Sequence, residues 1–171
     1  TTLPAQTAPT STSPQGAAKQ DGQLNLFYVG PVGGRTYGCL SLLQAVAQVP
    51  QCHLTICTRA GQSSPELTAA ADLPNVTVNV ASTTDLPQYY AQADVCMLFM
   101  EPDLYREFAV PFKLFEYLQY GHPVIASAGT YAGQFVASNQ VGWTIPYDVA
   151  ELVTLLNLLL ADPDSVRLKA Q

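Results

Sequence analysis

The sequence predicts a doubly wound α/β domain with a mainly parallel, Rossmann-like sheet over residues 23–171. Three observations carry this. Strand-like and helix-like segments alternate along the chain. The strand segments, such as CHLTICT and VCMLFM, are almost continuously apolar, as strands covered on both faces require. With 171 residues, 48% hydrophobic and 12% charged, the chain can bury one full core.

The elements follow in order. Residues 1–22, TTLPAQTAPTSTSPQGAAKQDG, hold one leucine and no aromatic, so they read as a flexible linker or tail. LNLFYVG (24–30) is the first strand and runs into the glycine loop GPVGGRTYG. LSLLQAVAQV (40–49) has helical periodicity and stops at Pro50. CHLTICT (52–58) is the second strand. SSPELTAAAD reads as a short helix with Pro65 near its first turn. NVTVNVA (75–81) is the third strand, and LPQYYAQAD is a helix capped by TTD. VCMLFM (95–100) is the fourth strand. No element is assigned to 101–110. PFKLFEYLQY (111–120) is a helix closed by Gly121, and PVIAS is the fifth strand. AGQFVASNQ (helix), GWTIP (sixth strand), DVAELVTLLNLLLAD (helix) and PDSVRLKAQ (start of a last helix) complete the alternation. There is no internal repeat.

Charge narrows the function. A net charge of −6 argues against a surface built for nucleic acid or anionic membrane. LLNLLLA is too short to span a bilayer, and no segment reads as a secretory signal, so a cytoplasmic location is expected. The chain does not open on methionine, which leads us to expect an excised or processed segment. Cys39, Cys52, Cys57 and Cys96 form no C-x-x-C pair and are expected as buried free thiols. With only His53 and His122 beside them, no metal site is expected. The sequon Asn75-Val-Thr77 is of chance-level significance.

Doubly wound sheets bind ligands at the carboxyl ends of their strands. Four of the seven basic residues fall there: Arg35 after strand one, Arg59 after strand two, Arg106 after strand four, and Lys113 opening the next helix. An acidic domain that gathers its cations at that edge is expected to bind an anion. Gly30, Gly33 and Gly34 let backbone N–H groups approach a phosphate, although the loop matches neither G-x-G-x-x-G nor the P-loop.

The helix 111–120 sharpens this. Pro111 suits a first helical turn, and neither Ala109 nor Val110 offers a capping side chain. Lys113 in the first turn opposes the helix dipole at a cost of about 0.3–1 kcal/mol. A bound anion removes that conflict. The competing reading is a Lys113–Glu116 pair at i,i+3, worth about 0.2–0.5 kcal/mol. Phe112, Leu114, Phe115, Tyr117 and Leu118 read as core.

The stretch PFKLFEYLQYGHPVIAS resembles the donor-binding signature of GT-B glycosyltransferases of family 4 (group 1), in the form Pro-x-Lys-Leu-x-Glu-Tyr-x-x-x-Gly-x-Pro-Val-Ile-Ala-Ser. The likeness extends over 24–170 through the glycine loop, LPQYYAQADV, Gly142 and LLLADP. It implies the single C-terminal half of a GT-B fold, which binds a nucleotide-sugar donor, expected to be a UDP-sugar, and transfers the sugar to a glycan or other acceptor with retention. By position, Glu116 holds the ribose hydroxyls. Lys113, Arg35 and the loop glycines Gly33 and Gly34 face the diphosphate, and Arg59 and Gly61 lie near the base. Arg35 and Lys113 then stabilise the departing phosphate, with no metal and no cofactor. The acceptor-binding N-terminal half is absent, so the fragment alone is expected to be inactive. Any peripheral membrane association would come through that half. The chain departs from the family at the acidic pair, where Glu107 precedes Glu116 by nine positions rather than eight, and at Gln134, where a glutamate is frequent. The alternative reading is a non-catalytic nucleotide-binding or adaptor domain of the same fold.

Overall fold

A computed structural model describes residues 22–34 and 39–170. Six strands, β1 (Leu24–Val29), β2 (Cys52–Thr58), β3 (Val76–Val80), β4 (Val95–Leu98), β5 (Val124–Ser127) and β6 (Gly142–Ile145), form one sheet in the order β3-β2-β1-β4-β5-β6. Every pairing is parallel. The strand order reverses between β1 and β4, so the crevice beyond their carboxyl ends is where this topology places a ligand.

Side chains along β1 alternate between two cores, as the period of two in a strand demands. Leu24, Leu26 and Tyr28 join one core with α1 (Leu40–Ala47), α2 (Pro65–Ala71), α7 (Val149–Ala161) and α8 (Pro163–Lys169). Phe27 joins the other, with α3 (Leu86–Tyr90), α5 (Phe112–Gln119) and α6 (Tyr131–Asn139). Helices therefore cover both faces, which is why the strands need apolar residues throughout. The four cysteines are free and buried. Burial raises the Cys39 thiol to about 11 and the Cys52 and Cys57 thiols to about 12, so all three stay protonated at neutral pH.

Four local expectations change. A short helix, α4 (Leu104–Phe108), fills part of 101–110; Asp103 caps it, its side chain accepting from the Arg106 N–H at 2.7 Å. Pro111 is the N-cap of α5 with extended backbone, not a member of its first turn. Phe112 and Phe115 are not core: they are 91% and 44% exposed, because the apolar stripe of α5 runs through Leu114 and Tyr117. The cap before α3 also differs. Asp85 reaches back to Ser82, accepting from its N–H at 2.9 Å and its hydroxyl at 2.6 Å, and makes no cap bond into α3.

Asn75 of the sequon has a structural use. Its side-chain amide donates to the carbonyls of Val46 at 2.8 Å, Cys52 at 3.0 Å and Val49 at 3.3 Å, tying the start of β3 to the turn between α1 and β2. Asn75→Ala leaves those carbonyls without this donor. It is expected to cost about 2 kcal/mol in urea unfolding at unchanged m-value, whereas Thr77→Ala on the exposed edge strand should cost far less.

Candidate functional site

Gly30 follows directly on β1, and the chain turns sharply there. The Gly30 N–H donates to Cys57 O at 2.9 Å, and its φ is +144°. The loop that follows is pinned from two sides. The Tyr28 hydroxyl donates to Pro31 O at 2.7 Å. Gln62 Oε1 accepts from Val32 N–H at 3.2 Å and from the Thr58 hydroxyl at 2.8 Å. The last amide of β1, at Val29, donates to the hydroxyl of buried Tyr117 in α5 at 3.2 Å. Strand end, glycine loop and α5 are thus one hydrogen-bonded unit.

Lys113 enters from α5 across the end of β1. Its ammonium donates to the Tyr28 hydroxyl at 3.2 Å and lies 4.5 Å from the centre of that ring. It also lies so close to Gly30 that a Cβ there would fall 2.1 Å from Nζ. Burial lowers its pKa to about 8, and the Glu116 carboxylate partly opposes that shift. Holding a desolvated ammonium here costs stability that a bound anion would restore.

Below Lys113 opens a cleft of about 350 Å³ at the carboxyl ends of β1, β2 and β3. Its walls include Gly30, Thr58, Arg59, Gln62, Lys113 and Glu116. Of the expected site residues, Lys113, Arg59 and Glu116 meet around it. Glu116 is half-buried one turn below Lys113. Burial first, and the nearby Glu116 carboxylate second, push the pKa of the buried Tyr90 hydroxyl upward. Gly33 and Gly34 lie farther along the loop: Gly33 packs on Ser64, where a Cβ would fall 2.5 Å from the serine Cβ, and at Gly34 a Cβ would meet nothing among the described residues. Arg35 lies outside the described residues. Arg106 stands apart from this cleft, its Nη1 donating to Asp103 and to Glu101 O. Helix α5 has no side-chain cap bond, as its sequence indicates.

Sequence reasoning passed over Thr58, Gln62 and Tyr28. A tyrosine in an apolar strand reads as core, and nothing local marks Gln62 as the residue that ties the β2 loop to the glycine loop. Among the described residues, no cluster of His, Cys, Asp or Glu could hold a metal ion, and no helix is long and apolar enough to cross a membrane.

Residues 23–162 match the family model described as glycosyl transferases group 1. No curated protein matches. Among solved structures, the chain is similar to a sucrose-phosphate synthase from Thermosynechococcus elongatus, at 26% identity and a TM-score of 0.68, covering 88% of this chain and 39% of that one. It is similar in fold to Anabaena Alr3699/HepE in complex with UDP-glucose, at 21% identity and a TM-score of 0.69, covering 86% and 42%. The UDP-GlcNAc 2-epimerase from Neisseria meningitidis, bound to UDP-GlcNAc, shares the fold at 12% identity and a TM-score of 0.59, covering 90% and 41%. The chain therefore spans about two fifths of the length of these structures. The family match covers the sheet, the glycine loop and the α5 signature together, and the chain belongs to the group 1 glycosyltransferases.

Proposed function

We propose that this chain is the donor-binding half of a glycosyltransferase and that its cleft binds a nucleotide-sugar through the diphosphate, with UDP as the nucleotide. The observation that carries this is Lys113. A desolvated ammonium held between Gly30 and Tyr28, at the start of a helix without a side-chain cap, faces the crevice where a doubly wound sheet binds ligands. Arg59 adds a second cation on the β2 side of the same cleft. When a sugar leaves a nucleoside diphosphate, negative charge grows on the phosphate oxygens. Lys113 and the first N–H groups of α5 are set to stabilise it without a metal. Glu116, one helical turn deeper, accepts the ribose hydroxyls. The solved complexes of proteins of this fold with UDP-glucose and UDP-GlcNAc support the ligand class. The residues 1–22 serve as the linker to an acceptor-binding half, a division consistent with the two-fifths coverage. The protein acts in the cytoplasm, at a membrane surface where the other half binds one.

Calorimetric titration of UDP in EDTA tests the reading. Binding is expected without divalent metal, and no heat at millimolar UDP would overturn it. The ribose contact has its own signature. Wild type should prefer UDP over 2′-deoxy-UDP by roughly tenfold or more, and Glu116→Ala should bind the two alike. If Glu116 is only a surface partner of Lys113, the preference will survive the substitution.

A further inference from the structure

A second cleft, of about 300 Å³, lies on the other side of Lys113 between α4, the start of α5 and the start of α6. The two clefts share the Lys113 side chain, so the second is within reach of a group attached to a phosphate bound there. Its lining is chemically unusual for a sugar site. Apolar residues, among them Leu98, Met100, Val110, Phe112 and Ala132, form most of the wall, and among the described residues no carboxylate or carboxamide side chain contributes. Lys113 and Arg106 are donors only. The Thr130 hydroxyl already donates to Ser127 O at 2.7 Å and accepts from the Gly133 N–H at 3.0 Å. Among the described lining residues, the remaining side-chain oxygen is that of Tyr105, a residue mostly exposed. A fully hydroxylated hexose needs acceptors for its O–H groups, and a buried hydroxyl without one is penalised.

Resting on the donor-binding reading above, we propose that the second cleft selects a deoxygenated glycosyl group, one that turns a methyl or methylene toward Leu98, Met100 and Ala132 where a common hexose carries a hydroxyl. The specificity is set by what the wall lacks as much as by what it offers. Met100, half-buried beyond the end of β4, is the residue from which one added polar group would change the choice.

The test compares UDP-6-deoxyglucose with UDP-glucose by calorimetry on the 171-residue chain, with UDP alone as reference. In parallel, 6-deoxyglucose 1-phosphate is compared with glucose 1-phosphate by ligand-observed NMR. The deoxy ligand is expected to bind roughly tenfold tighter in each pair. Met100→Gln should erase most of that difference while leaving UDP affinity unchanged, which also shows that the variant is folded. Equal or tighter binding of the glucose ligands overturns the proposal even where UDP binds well. If UDP fails to bind but the deoxy sugar phosphate still wins, the donor reading falls and the apolar cleft stands. If none of the ligands binds, both fall.

Discussion

Lys113→Met is expected to weaken UDP binding about a hundredfold and, at the same time, to stabilise the unliganded protein by about 1–2 kcal/mol. Both effects have one cause. The wild-type ammonium has lost much of its water, and its pKa has dropped from near 10.5 to about 8. A methionine of similar shape keeps the packing and removes the desolvated charge, so the apo protein gains. On the donor-binding proposal, the nucleotide loses a cation close to its phosphates. The pH dependence separates this from a general packing change. UDP affinity should hold up to about pH 8 and fall above it as Lys113 loses its proton. Stability runs the opposite way. Because the folded-state pKa is depressed, the unfolded chain binds more protons between about pH 8 and 10.5, so this residue's contribution to stability rises with pH across that window. Lys113→Met should remove both slopes. Urea titrations and calorimetry at pH 7, 8, 9 and 10 read them directly. Unchanged UDP affinity in the variant would refute the assignment.

Gly142→Ala is expected to destabilise the domain by about 4 kcal/mol or more. Gly142 opens β6 and pairs with Val124 of β5. Its φ is +157°, and an added Cβ would sit 1.9 Å from Val124 O and 2.6 Å from Val124 N. Those are backbone atoms at the start of the parallel β5–β6 ladder and cannot rotate away, so β6 must detach or slide. Urea unfolding should show the loss, with amide exchange accelerating first in β5 and β6 and last in β1 and β2. Gly30→Ala is a useful contrast. Its Cβ also meets a neighbour closely, but that neighbour is the Lys113 ammonium at the tip of a flexible chain, so nucleotide affinity should suffer more than stability.

Much of this was legible in the residues. The continuous apolar strands required helices on both faces, and six parallel strands with two cores are what the chain forms. PFKLFEYLQYGHPVIAS located α5 and β5 and named Lys113 and Glu116, because helix starts, dipoles and i,i+3 spacing are local properties of the chain. The short helix α4 was missed because five residues are too few to show a helical period, and none of them is buried; Asp103 at its cap and the Arg106 side chain tie it locally. Phe112 and Phe115 looked like core because hydrophobicity is visible in sequence but the angular position of a helix on its sheet is not. That angle was set by Leu114 and Tyr117 docking against Phe27, Cys96 and Tyr90.

The sequence by itself determined the fold class and the order of the six strands, since these follow from pattern and connectivity. Only the tertiary structure decided which cations share a cleft. Arg59 and Lys113 are 54 positions apart and meet because β1 lies beside both β2 and β4, whereas Arg106, only seven positions from Lys113, turns to Asp103 and Glu101 and lines the other side. Sheet topology, through nonlocal strand pairing, fixed these distances, and no local property of the chain encodes them.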